Sequence, residues 1–320
     1  MMNRLRVYFL SVSLFCLTQP AIAGNGTSQA EYWLNKMSVA VNNLSYDGHF
    51  VYLHNNMLES LRTVHSVEQG RTTERLFSMN GEAREIVRDS HSVTSILPKQ
   101  KKLSTARRPL DSSTFSSFFR LEPERIDHNY HVRFLGKNRV ADRTVNVIEF
   151  QPEDRLRYGY RLFLDDEYSL PLQWEMFDVD NQLVSSIMFT NINIEEPAVT
   201  SPSATSSPAK TELHKKVRLR STADARSTWQ FDNIPSGYQI HHQNRSMHHD
   251  QRREVEHLIF SDGLASFSVY IEASDKIKLK GPAKLGALNA YGVFIDGYQL
   301  TAVGEVPIET LIFIGDARKP

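Results

Sequence analysis

From Tyr46 onward, apolar and polar side chains alternate almost one for one. The alternation fills 46–54, 58–67, 71–79, 83–89 and 92–97, and the separators are Asn55-Asn56, Gln69-Gly70, Asn80-Gly81 and Ser90-His91. A period of two sends successive side chains to opposite faces, which predicts strands with one buried side. The short turn-forming separators force neighbouring strands to run antiparallel. After a break at 98–128 the pattern returns at 129–136, 144–151, 157–164, 171–177 and 183–193. Within 171–177, Leu172, Trp174 and Met176 share one side, while Gln173, Glu175 and Phe177 share the other. About ten short strands in consecutive hairpins predict a single, strongly curved antiparallel sheet, half open or partly closed.

Upstream of the first strand the period is helical. Trp33, Met37, Ala40, Val41 and Leu44 form one apolar stripe, and Ser28-Gln29-Ala30-Glu31 fits a capping box at its start. Downstream, 195–214 is rich in Pro, Ser and Ala without apolar period, as in the run EEPAVTSPSATSSPAK, and predicts a solvated linker. A second unit, 215–320, has strand patterns at 238–247, 254–261, 265–272, 289–296 and 298–304. Its hairpin turns are Ser261-Asp262-Gly263-Leu264 and Asp296-Gly297, and a short helix is expected after Pro307. The fold class is therefore mainly β (α+β), with a large curved antiparallel sheet and a smaller α/β sheet domain.

The first residues change the expected compartment. Arg4 and Arg6 precede an apolar run from Val7 to Leu17, and Ala21-Ile22-Ala23 fits a signal-peptidase site, so 1–23 is expected to be a signal peptide and 24–194 the first mature domain. Cys16, the only cysteine, leaves with it, so no disulfide is available to an exported chain, and the bacterial periplasm is the expected location. Removing Arg4 and Arg6 from 37 basic residues leaves 35 against 37 acidic ones. So balanced a charge does not attract nucleic acid.

The search for chemistry finds little. His241-His242 and His248-His249 lie close together, but strand neighbours face opposite ways, and they read as solvated residues around a hairpin loop without metal. Asp165-Asp166-Glu167 and Asp178-Val179-Asp180-Asn181 sit where turns are expected, and the second lacks the Gly and Glu of a calcium loop. There is no G-x-S-x-G and no Gly-rich phosphate loop, and the one S-x-x-K match, Ser207 to Lys210, falls in the linker. Neither an enzyme nor a cofactor is expected. The break at 98–128 is more informative. Lys99, Lys101, Lys102, Arg107 and Arg108 form a basic patch, followed by a short predicted helix with Phe115, Phe118 and Phe119 on one side. One reading is a solvated loop and a helix that plugs the core. The other pairs the cations with anionic headgroups and lets the three Phe, with Leu172, Trp174 and Met176, line an apolar pocket for a lipid chain. At about 0.8 kcal/mol per buried methylene, a 14-carbon chain gains on the order of 10 kcal/mol, similar to its gain in a bilayer. Such a pocket favours displaced lipid over lipid at rest in a membrane.

Three segments carry a resemblance: ESLRTVHSVEQGRTTERLFSMNGEAREIVRD (59–89), GKNRVADRTVNVIEFQPEDRLRYGYRLFLDDEYSLPLQWEMFDVDNQLVSSIMF (136–189) and LIFSDGLASFSVYIE (258–272). The chain resembles the RseB/MucB family of periplasmic negative regulators of the sigma-E envelope stress response. The resemblance implies a first domain like the carriers LolA and LolB, a half-open sheet with helices in its concavity. It also implies a non-enzymatic protein that binds the periplasmic domain of an RseA/MucA-like anti-sigma factor and shields it from site-1 proteolysis. Lipopolysaccharide or the acyl chains of mislocalised lipoprotein would release that grip. It carries no individual partner-binding residue and leaves the oligomeric state open, a homo-oligomer included. The alternative is a periplasmic lipid or lipoprotein carrier, which has little need of a second domain.

Overall fold

A computed structural model describes residues 25–68, 70–89, 92–97, 102–107, 126, 128–195, 221–222, 227–248 and 253–319. The expected signal peptide, Lys99, Lys101, Arg108, Phe115, Phe118, Phe119 and linker residues 196–214 lie outside these. The chain enters as α1 (Asn25–Asn43) and then forms β1 (Ser45–His54), β2 (Met57–Glu68), β3 (Arg71–Ser78), β4 (Glu85–Arg88), β5 (Ser92–Leu97) and β6 (Lys102–Arg107). It continues with β7 (Tyr130–Val140), β8 (Arg143–Pro152), β9 (Gly159–Asp165), β10 (Pro171–Phe177) and β11 (Leu183–Glu195). All eleven strands form one antiparallel sheet, in the order β6-β5-β4-β3-β2-β1-β11-β10-β9-β8-β7.

Two expectations for this unit need correction. The break at 98–128 contains a strand: β6 continues the meander by pairing Ser92 with Arg107 through Leu97 with Lys102. The cationic residues hid it, because a sheet edge tolerates charge that an inner strand would not, and such charge deters edge-to-edge pairing. Secondly, α1 begins at Asn25, so Ser28 and Glu31 lie inside the helix and do not form its first cap. Docking of Ala30, Trp33, Leu34, Met37 and Ala40, all buried, holds the helix, and an extra solvated turn ahead of them costs little.

The sheet is far from flat. Three strands separate β7 from β11, which at about 4.8 Å per strand puts them about 19 Å apart in a plane. They nevertheless come within 8 Å at their Cα atoms. Bulges at Thr190 in β11, opposite His49 and Phe50, and at Leu135 in β7 raise the local twist that lets the sheet curl. Helix α1 lies against β7, with Trp33 and Met37 in the same core as Phe50, Leu172, Trp174, Met176 and Phe189. The opposite face is polar: Arg133 and Arg161 flank Glu149 across β7, β8 and β9, at 2.5 and 3.0 Å.

The second unit contains β12 (Ser221–Thr222), β13 (Gln230–Phe231), β14 (Gln239–His248), β15 (Arg253–Ser261), β16 (Ser266–Ala273), β17 (Gly281–Leu285), β18 (Leu288–Ile295) and β19 (Tyr298–Gly304). Helix α2 (Ile308–Leu311), a 3-10 turn (Ile312–Asp316) and β20 (Ala317–Arg318) complete it. Seven strands form a sheet in the order β12-β14-β15-β16-β19-β18-β17, and β13 pairs with β20. The helix after Pro307 matches expectation, whereas β12, β13, β17 and β20 had no alternation long enough to read. On its covered face Phe260 and Phe267 stack at 5.1 Å, with Phe313 edge-on to both.

Gly48 tests the packing of the first sheet. It sits between Ile192 of β11 and Thr63 of β2, and the Phe189 ring lies directly over it. A Cβ there would stand 2.6 Å from Phe189 Cε1 and 2.9 Å from the Asn191 carbonyl oxygen. Gly48→Ala is expected to cost about 1–3 kcal/mol of stability, read as a lower urea midpoint.

Candidate functional site

The inner face of the first sheet has two halves of different chemistry. On the β8–β11 side it is apolar: Ile148, Phe150, Tyr160, Leu162, Trp174, Ile187 and Phe189 are all buried. Leu172, Trp174 and Met176 belong here at 1, 4 and 1% exposure, with the Trp174 ring 5.4 Å from that of Tyr160. Their alternation with Gln173 and Glu175 is as the sequence suggests. They belong to the hydrophobic core that also includes Trp33 and Met37 of α1. The side chains of Lys102 and Arg107 lie outside the described ones, though their backbones place them at the two ends of β6.

On the β1–β4 side the inner face carries a polar row beside Phe50 and Leu61. Tyr46 pairs with His65, His65 with Glu74 and Glu74 with Arg88, so four buried side chains form a row across four strands. The Tyr46 and His65 rings stack at 4.8 Å and 3°. Burial lowers the His65 imidazole to about 4 and raises the Tyr46 hydroxyl well above its ordinary value. This row escaped sequence reading because its members look like ordinary strand residues. Only their parity with Leu61, which is also inward, gives them away.

The two units meet at a second polar centre. Arg157, in the loop before β9, is 1% exposed, and its Nε donates to Asp262 Oδ2 at 2.8 Å; Asp262 is 0% exposed. The Tyr130 hydroxyl donates to the same oxygen at 3.1 Å. The other guanidinium nitrogens of Arg157 donate to Asp154 and to the Ser236 carbonyl, and its plane lies 5.0 Å from the Tyr238 ring centre. Burial opposes the charge on Arg157, but Tyr238, Asp154 and Asp262 more than compensate and raise its pKa. On either side, the Thr310 hydroxyl donates to the Leu156 carbonyl at 2.6 Å, and Asn289 Nδ2 donates to the Tyr158 hydroxyl at 3.0 Å. Three consecutive residues of the first unit thus reach three different elements of the second.

The acidic clusters act as turn caps. Asp165 accepts from the N–H groups of Glu167 and Tyr168 and pairs with Arg143, and Asp178 accepts from those of Asp180 and Gln182. His241 is the extra residue of a bulge in β14, between the pairs Ile240–Phe260 and His242–Ile259. Among the described residues, no group of three or more His, Cys, Asp or Glu side chains is arranged to hold a metal ion. No described helix is long and apolar enough to cross a membrane.

Comparison with known proteins places this arrangement. The MucB/RseB N-terminal domain matches residues 29–216, and the MucB/RseB C-terminal domain matches 223–318. The chain belongs to the MucB/RseB family. It is 24% identical to the sigma-E factor regulatory protein RseB of Haemophilus influenzae, over 97% of this chain and 96% of that one. It is 27% identical to the sigma factor AlgU regulatory protein MucB of Pseudomonas aeruginosa, over 91 and 90%. Among solved structures it is similar to MucB in complex with MucA(peri), at 26% identity and a TM-score of 0.68, covering 91% of this chain and 98% of that one. Against a crystal structure of MucB alone, the TM-score is 0.61 at the same identity, covering 92 and 98%.

The polar row makes this family member's first sheet sensitive to acid. His65 binds a proton near pH 6.5 when unfolded and near 4 when folded. Its contribution is therefore fully present above about pH 6.5 and is lost as pH falls toward 4, up to roughly 3 kcal/mol. Glu175 and Glu305, both raised by burial, pull the other way, so the variant comparison isolates His65. His65→Phe keeps the stacked ring, and its stability relative to the parent should rise by 1–3 kcal/mol between pH 7 and 4.5 in urea titrations.

Proposed function

We propose that this chain is a negative regulator that binds the periplasmic domain of an RseA/MucA-like anti-sigma factor and shields it from site-1 proteolysis. One observation carries the reading: similarity runs through both units to MucB, a sigma factor regulatory protein whose solved complex contains MucA(peri). The side chains support a binding role. Acidic clusters that could serve as acid–base groups are engaged as turn caps, Glu74 and Arg88 pair across the first sheet, and Arg157 with Asp262 joins the two units. A regulator of this kind needs surface and shape; it needs no nucleophile.

The finer parts of the reading have separate support. The leader pattern at 1–23 and the periplasmic partner of MucB favour the periplasm. Residues 24–194 and 215–320 form two domains on this reading, with 195–214 as the linker. Release by lipopolysaccharide or mislocalised lipoprotein would act through the apolar half of the first sheet. The helix expected to carry Phe115, Phe118 and Phe119 and the cations at Lys99, Lys101, Lys102, Arg107 and Arg108 would guide the lipid there. The carrier alternative makes no use of the joint around Arg157, which ties the second unit closely to the first.

The mature chain should bind the purified periplasmic domain of an anti-sigma factor of this class in calorimetry and slow its cleavage by the site-1 protease. Lipopolysaccharide should weaken that binding, and by linkage the anti-sigma domain should weaken lipopolysaccharide binding by the same factor. No measurable binding to the anti-sigma domain, together with efficient transfer of acyl chains between vesicles, would establish the carrier instead.

A further inference from the structure

The geometry points to Arg157 as a positioning residue: with Asp262 it forms a separable polar joint that sets the angle between the two sheets. This concerns how the units are held and stands apart from the identity of the partner.

Three observations lead to it. The polar part of the contact is concentrated, since Leu156, Arg157 and Tyr158 meet Thr310, Asp262 with Ser236, and Asn289 respectively, while the second unit's Ala287 and Leu264 pack on the first unit's apolar core. It is also close-fitting. Gly237 has φ +80°, and a Cβ on it would lie 2.1 Å from Asn129 Oδ1 and 2.6 Å from Arg157 Nη2, so the second unit's loop approaches the first by backbone alone. Finally, each charge remains satisfied by its own unit when the joint opens. Asp154 stays with Arg157. Asp262 Oδ1 accepts from the N–H groups of Leu264 and Ala265 at 3.0 and 2.7 Å, which keeps its hairpin turn in shape.

A buried ion pair adds little net stability, because the desolvation of both ions offsets their attraction. Opening such a joint returns both charges to water, so separation costs less than tearing apart an apolar interface of the same area. A half-formed joint, by contrast, leaves a charge buried and unpaired. The pair therefore favours two states, fully closed or fully open, which suits a device that sets an angle. A second contact lies beside it, where the Asn55 side chain abuts Gly286 and Glu305 lies near His54. That contact can remain when Arg157 lets go.

The experiment uses the mature chain with spin labels at Arg139→Cys and Ile277→Cys, one exposed position in each unit. The parent should give one narrow distance distribution. Arg157→Met with Asp262→Asn removes both charges, and the Asn retains the turn-capping oxygen. This double variant should keep the parent's far-ultraviolet circular dichroism yet give a broad or displaced distance. Arg157→Met alone, which strands the Asp262 carboxylate, should lose stability and regain much of it when Asp262→Asn is added. An unchanged narrow distance in the folded double variant would overturn the proposal and leave the pair a structural contact. So would failure of the double variant to fold, since the pair would then belong to the folding core of the chain.

Discussion

A charge held out of water must be answered in full, and Arg157 and Asp262 show how much of this chain is arranged to do so. The carboxylate receives two N–H groups from its own hairpin, a phenol from β7 and a guanidinium from the loop before β9. The guanidinium has a carboxylate of its own unit, a carbonyl from the other and an aromatic face. The partners that come from the other unit are supplied only where Asn129 and Gly237 stand almost in contact, which fixes how the first sheet meets the second. The pair adds specificity of arrangement more than stability.

The first sheet obeys a similar rule on a larger scale. Eleven strands in a single antiparallel order would expose a wide apolar face if they lay flat. Curling brings β7 toward β11, and α1 then covers what the curl leaves open. The result is an inner face that is apolar under the helix and polar along Tyr46, His65, Glu74 and Arg88. Among the described residues the apolar half is occupied by the core side chains Leu172, Trp174 and Met176.

Most strands could be read in the sequence because a period of two with one buried side leaves a direct trace. Ten strands of the first sheet and the five longest of the second have that trace. β6 did not, since its six residues, KLSTAR, carry no apolar–polar alternation, and β12, β13 and β20 are two residues long. The functional features were harder for a different reason. Asp262 could be read as a turn residue, which it is, but its second duty depends on a loop 105 residues earlier in the chain. Likewise His65 becomes distinctive only when register sets it beside Tyr46 and Glu74. Local pattern reports which side chains turn inward, whereas pairing between distant segments decides which inward polar groups meet.

That distinction bears on how such a protein could respond to a signal. A ligand moves an equilibrium only by binding one arrangement better than another, so a regulator needs at least two arrangements of comparable free energy. A wide apolar seam between the sheets would make one arrangement dominant and its opening costly; among the described residues the second unit adds only Ala287 and Leu264 to the first unit's core. A polar joint is well defined when closed, yet its groups are rehydrated when open, so the two arrangements can lie close in free energy. Helix α1 packs on β7, so a rearrangement of packing under α1 would reach the second sheet through that strand. That strand carries Tyr130 on the very oxygen that Arg157 holds.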